Sequence, residues 1–293
     1  MKVLIIGKSG QLANELTSNK PTGIEHLCLG RSDIDVSDVT SLEKAINTYK
    51  PKVIINASAY TAVDKAETDS NAAYLLNQQA VENLAIIAKK SNTRLIHVST
   101  DFVFDGKKNK AYNVDDKTNP CSIYGASKLA GEQAITTHYS ENSAIVRTSW
   151  LYSSHGNNFV KTMLRLMQEK EELGVVCDQI GCPTYAEGLA KFLWKLTKKE
   201  TISPIYHWSD YGVASWYDFA VAIQEIAFNN KLLSKKIPIK PIPASSYPTP
   251  ATRPIFSLLN ASNSYPIEPS KHWTRHLTEC IKKLNYKASS RSL

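Results

Sequence analysis

Tyr124-Gly125-Ala126-Ser127-Lys128 sets a phenol and an ammonium at i and i+4, which a helix brings onto one face. A tyrosine phenol titrates near about 10 in water. An ammonium beside it favours the phenolate, so the pair can exchange a proton with a substrate oxygen near neutral pH. A chain with 14 tyrosines forms such a pair by chance, and the preceding residues decide its meaning. The run from Leu95 to Ser99 reads as a buried strand, with Thr100 at its carboxyl end, where open α/β sheets bind ligands. The Thr100 hydroxyl and the Tyr124/Lys128 pair can then converge on one carbonyl.

A second group of residues suits a phosphorylated cofactor. Gly7-Lys8-Ser9-Gly10-Gln11-Leu12-Ala13 follows an apolar strand and opens a helix. Glycines there permit a tight turn and let backbone N–H groups approach a pyrophosphate. The spacing is G-x-x-G-x-x-A, with Ala13 in place of a third glycine. Where NAD enzymes carry an acid for the ribose 2′-hydroxyl, at the end of the second strand, this chain reads Cys28-Leu29-Gly30-Arg31-Ser32. A guanidinium there fits a 2′-phosphate, so NADPH is the expected cofactor and NADH a weaker one. Asp35 and Val36 follow closely enough to flank the adenine.

These residues need a parallel sheet to hold them. Short apolar runs at 2–6, 25–29, 53–56, 95–98 and 144–146 alternate with helical stretches at 12–16, 39–49 and 72–90. Near-continuous apolar strands between helices indicate an α/β, Rossmann-like doubly wound parallel sheet. Further helices are expected at 159–170, 184–199, 216–228 and 273–284, and eight prolines between Pro238 and Pro269 predict extended loop. The expected division is a dinucleotide-binding core over 1–150, completed by parts of 174–208, with 151–293 mainly a smaller substrate-binding lobe.

Composition narrows the function classes. The 293 residues are 42% hydrophobic and 21% charged, which is globular, and no apolar run nears the roughly 18 residues that span a bilayer. Five cysteines without a C-x-x-C pair point to a reduced, cytoplasmic protein rather than a disulfide or zinc framework. The net charge of +8 lies mostly in the second half, with 18 basic against 11 acidic residues there. Those lysines are dispersed and carry no nucleic-acid motif, so they read as solvated faces beside an anionic small ligand. His272 and His276 stand at i and i+4 without an acidic third ligand, and no metal site is expected. Trp216, Tyr217 and Phe219 read as the start of a packed helix rather than an aromatic binding box.

Together these residues resemble the extended short-chain dehydrogenase/reductases, through Thr100, Tyr124-x-x-x-Lys128 and the amino-terminal Gly-x-x-Gly. Within that superfamily the chain is similar to the dTDP-4-dehydrorhamnose reductase family. The matching segments are 7–12 (GKSGQL), 56–67 (NASAYTAVDKAE), 99–106 (STDFVFDG), 124–132 (YGASKLAGE) and 147–152 (RTSWLY). They continue through 158–164 (NFVKTML), 178–184 (DQIGCPT), 215–220 (SWYDFA) and 247–254 (YPTPATRP). The resemblance implies reduction of the C4 ketone of dTDP-4-dehydro-β-L-rhamnose to dTDP-L-rhamnose for surface polysaccharide.

It also implies residue roles. Tyr124 is the proton donor, Thr100 assists, and Lys128 binds the nicotinamide ribose and lowers the phenol's pKa. Gly7, Ser9, Gly10, Gln11 and Leu12 hold the pyrophosphate, and Ala59, Tyr60 and Thr61 line the cofactor path. Thr100, Asp101, Trp150, Asn158 and Arg253 meet the sugar nucleotide. Some members form magnesium-linked dimers through a glutamate matching Glu187. Here Lys282-Lys283 stands where acids are needed, so a homodimer is allowed and magnesium stays open. Alternatives on the same scaffold are another sugar-nucleotide reductase, an epimerase or a dehydratase, or a non-catalytic NADP-binding regulatory subunit. Dehydration needs an acid after Asp101, where this chain has Phe102.

Overall fold

The computed structural model describes residues 1–289. The first half alternates β1 (Lys2–Ile6), α1 (Gln11–Ser18), β2 (Glu25–Leu29), α2 (Val39–Tyr49) and β3 (Val53–Asn56). It continues with α3 (Val63–Ala66), α4 (Ser70–Tyr74), a π-helical turn (Leu75–Gln79), α5 (Ala80–Lys90) and β4 (Arg94–Thr100). A 3₁₀ turn (Asp101–Val103), α6 (Ile123–Tyr139) and β5 (Ser143–Thr148) complete it. The second half holds β6 (Leu151–Tyr152), α7 (Phe159–Glu169), β7 (Leu173–Val176), β8 (Ile180–Gly181), β9 (Thr184–Tyr185) and α8 (Ala186–Thr197). Last come β10 (Ile205–His207), β11 (Ala214–Ser215), α9 (Trp216–Asn229), β12 (Ile239–Ile242) and α10 (Trp273–Ser289).

Six strands form one parallel sheet in the order β10-β5-β4-β3-β1-β2. Strand alternation sends Val3, Ile5, Val53 and Ile55 to one face, against Leu12 and Leu16 of α1 and Leu189 and Leu193 of α8. It sends Leu4, Ile6 and Ile54 to the other, against Leu42 and Ile46 of α2, Leu84 of α5 and Ile135 of α6. Both faces are therefore covered, which is why the strands read as unbroken apolar runs. A separate core lies in the second half, where Val160, Met163, Phe219, Ile223 and Leu277 pack together.

Two expectations need correction. The helix expected at 72–90 begins at Ser70 and carries the π-helical turn Leu75–Gln79. Leu75, which opens that turn, is 47% exposed. The proline-rich stretch also contributes a strand, β12, paired in parallel with β7. Pro241 is tolerated there because β12 is half of a two-stranded sheet, with an edge that needs no donor.

Candidate active site

Strand order reverses between β1 and β3, and their carboxyl ends open into a cleft of about 710 Å³. Gly7, Ser9, Gly10, Arg31, Asp35, Val36, Ala59 and Thr61 line it. Gly7 has φ +117°, and a Cβ on it would meet the Ala57 carbonyl at 2.9 Å, so only glycine passes here. Helix α1 starts at Gly10 without a side-chain cap, leaving its first N–H groups for an anion. The donor set and the glycine cradle fit a dinucleotide pyrophosphate. Arg31 is exposed on the rim. The acid nearest the end of β2 is Asp33, whose carboxylate accepts from the Gly30 N–H at 2.9 Å and pairs with Lys8 at 3.2 Å. Both bonds hold it below the usual carboxylate range, the Gly30 N–H most of all.

A second cleft of about 600 Å³ runs on from the first and holds Gln11, Leu12, Thr100, Asp101, Tyr124, Lys128, Trp150 and Arg253. Ser122 caps α6 by accepting from the Gly125 N–H at 3.2 Å, which starts the helix one turn before Lys128. A Cβ on Gly125 would lie 2.2 Å from the Phe102 carbonyl, so glycine lets α6 press against the turn after β4. That approach sets Tyr124 beside Thr100 and edge-on to Phe102, with ring centroids 5.5 Å apart. The Thr100 hydroxyl accepts from the Phe102 N–H and donates to Asp101 Oδ1 at 3.1 Å.

Burial pushes the Tyr124 phenol up to about 12; the Thr100 hydroxyl offsets part of this and the Asp101 charge adds to it. Lys128, expected to depress the phenol, does not offset the rise. Its Nζ turns instead to the Val98 carbonyl at 2.8 Å and His97 Nε2 at 3.1 Å. Burial lowers Lys128 to about 8 and raises the Asp101 carboxyl to about 6.

Two of the expected binding residues turn away. Tyr60 is buried against Ala66 and Ala73, its hydroxyl donating to Asp69, while its backbone N–H and carbonyl are held by Asn77. Asn77 sits in the π-helical turn and also donates to Ser127 on α6, so it ties the loop at Tyr60 to the helix that carries Tyr124 and Lys128. Asn158 caps α7, accepting from the Lys161 N–H, and its NH₂ donates to Ser153 O and Gln11 Oε1. With both amide atoms engaged, it leaves the cleft wall to Asn157. Arg253 lines the cleft but also grips Asp64 through both guanidinium nitrogens, at 2.9 and 2.7 Å.

Trp216, read from sequence as the start of a packed helix, does begin α9 and also lines the second cleft. Its ring stacks on Trp150 with centroids 3.6 Å apart and planes within 6°, and it borders a third cleft of about 480 Å³. Gln179, Tyr247, Thr249 and Arg253 supply polar groups there. The adjacent aromatics Trp216-Tyr217 at a helix start were the available signal, and in the proline-rich loop the matching segment 247–254 pointed to Arg253. Glu187 does not suit magnesium: Lys191 and Lys283 hold its carboxylate at about 2 despite burial, and no three metal-binding groups cluster among the described residues. His276 pairs with Asp210 at 2.9 Å instead of acting with His272.

The RmlD substrate binding domain family matches residues 1–286. A dTDP-4-dehydrorhamnose reductase of Aggregatibacter actinomycetemcomitans is 41% identical over 286 residues, covering 94% of this chain and 97% of the relative. The crystal structure of a dTDP-4-dehydrorhamnose reductase from Clostridium acetobutylicum superposes with TM-score 0.91 at 36% identity, covering 97% of this chain and all of that one. The Bacillus anthracis enzyme of that name, in complex with NADP, gives TM-score 0.90 at 33% identity, covering 96% and 99%. The chain belongs to the dTDP-4-dehydrorhamnose reductase family.

Proposed function

We propose that the protein reduces the C4 ketone of dTDP-4-dehydro-β-L-rhamnose with NADPH, forming dTDP-L-rhamnose for surface polysaccharide. The observation that carries this is the meeting of Thr100, Tyr124 and Lys128 on one wall where the cofactor cleft joins the Trp150/Trp216 cleft. A nicotinamide cofactor, when bound in the first cleft, would supply the hydride for the ketone carbon. Thr100 and Tyr124 orient the ketone oxygen, and Tyr124 places its proton there. The stacked indoles close the far wall, exclude water and offer an apolar face to the sugar, while Arg253, Thr249 and Gln179 suit the nucleoside diphosphate. Phe102 leaves no acid beside Asp101 for dehydration. A core over 1–150 completed from 174–208, a lobe over 151–293, and a cytoplasmic location complete the proposal. No helix among the described residues is long and apolar enough to cross a membrane.

Purified protein supplied with NADPH, the dTDP-4-keto sugar and its epimerase should yield dTDP-L-rhamnose. NADPH consumption without that product would overturn the assignment. On cofactor choice, Arg31 and Lys8 present cations near the end of β2, where Asp33 is already paired. NADPH should be preferred over NADH by about tenfold in kcat/KM, equivalent to roughly 1.4 kcal/mol. Arg31→Glu should invert the ratio by repelling the 2′-phosphate. An unchanged ratio would mean that Arg31 points into solvent.

A further inference from the structure

Beneath the reacting groups runs a buried polar chain that the reaction scheme does not use. Asn56 ends β3 and stands in register with His97 on β4. Asn56 Oδ1 accepts from the Ser58 backbone N–H at 3.1 Å and from the Ser58 hydroxyl at 2.7 Å. A backbone N–H only donates, so that oxygen is fixed on the Ser58 side and the Asn56 NH₂ faces His97 Nδ1 at 3.0 Å. His97 Nδ1 must then accept, which leaves the proton of a neutral imidazole on Nε2. His97 is fully buried, and burial holds it well below its ordinary range, so the ring is neutral.

Nε2–H therefore points at Lys128 Nζ, 3.1 Å away. An ammonium has three donors and no acceptor, so a charged Lys128 would set donor against donor. An uncharged amine resolves the conflict. Its lone pair takes the Nε2–H, and one of its own N–H groups goes to the Val98 carbonyl. We propose that Asn56 and His97 favour the uncharged amine of Lys128 over its ammonium in the cofactor-free protein, making His97 a positioning residue for the proton chemistry at Tyr124.

Among the other groups around Lys128, only the Glu132 charge favours the ammonium, and it does not outweigh burial. Glu132, one turn along α6, spends its charge on Arg147 of β5 through contacts of 3.0, 3.1 and 2.7 Å. Tyr124 lies one turn before and is neutral, and Asp101 is hydrogen-bonded to Thr100. Lys128 is 1% exposed, so water does not stabilise its charge, in line with its lowered pKa. Charging Lys128 requires the imidazole proton to move to Nδ1 and Asn56 to turn over. That breaks both bonds to Ser58, which lines the cofactor cleft.

The protonation state stands independently of the proposed reaction; its consequence for rate rests on that reading. The direct test is a pH titration of ¹³C-lysine-labelled protein, with the Lys128 signal assigned through Lys128→Met. The midpoint should lie near about 8, and one near the ordinary value of about 10.4 would overturn the proposal. In Asn56→Asp the carboxylate accepts from Nδ1–H, frees Nε2 to accept, and should raise the midpoint by about one pH unit or more. An unmoved midpoint there would equally overturn it. Asn56→Asp with His97→Leu should lose most of that rise, and a rise that persists in full would show bare charge attraction and remove His97 from the account. Turnover should need the ammonium, so the alkaline limb of kcat/KM should fall through the Lys128 midpoint and follow it upward in Asn56→Asp. A limb that ignores the midpoint would count against the proposed function and leave the protonation state standing.

Discussion

Tyr124→Phe is expected to lower kcat by about 10²–10⁴-fold, the usual worth of a positioned general acid. NADPH affinity should be unchanged, because the phenol oxygen supports no element of the fold. No neighbour can replace the phenol as a donor. Asp101, at about 6, is mostly ionised at pH 7.5, and Lys128 is turned toward Val98 and His97. Phe102 packs edge-on against the residue 124 ring, so phenylalanine keeps that contact. The measurement is single-turnover reduction of the 4-keto sugar together with NADPH binding by fluorescence. Wild-type turnover with intact binding would remove Tyr124 from the proton transfer.

The largest stability effect is expected at the ion pair under the site. Arg147 and Glu132 are each 4% exposed at the side chain, and Glu132 also accepts from Ser99 on the strand that ends in Thr100. Arg147 further donates to the Val114 carbonyl and stacks over Phe104 at 5.1 Å. Removing one partner of a buried pair leaves a charge with neither water nor a counter-ion. Glu132→Leu should therefore destabilise the protein by about 3–5 kcal/mol, a drop in Tm on the order of 10 °C. Replacing both, as Glu132→Leu with Arg147→Met, should recover much of the loss, because no charge is then stranded. Thermal unfolding of the three proteins checks this. A double variant no better than the single one would mean that the hydrogen bonds to Ser99 and Val114, rather than the charge, dominate.

The sheet and the grouping of Thr100, Tyr124 and Lys128 were legible in the sequence because both are written locally. Strand β2, strand β3 and helix α2 fall where apolar runs and spacing place them, since burial on a two-faced sheet demands apolar residues in series. Tyr124 and Lys128 share a face because four residues make about one helical turn. Thr100 stands at a strand end for the same local reason.

Tertiary structure decided where the remaining polar atoms go. Tyr60 and Asn158 sit in matching segments, but their side chains are taken by Asp69, Ser153 and Gln11, partners that only packing brings near. Trp216 lines the cleft because the second half folds its ring onto Trp150, which lies 66 residues earlier in the chain. The state of Lys128 depends on His97 across a helix–strand contact, and His97 on Asn56 across the β3–β4 register. Periodicity records which side of an element is buried, whereas hydrogen-bond partners and charge states follow from register and from the water that folding excludes.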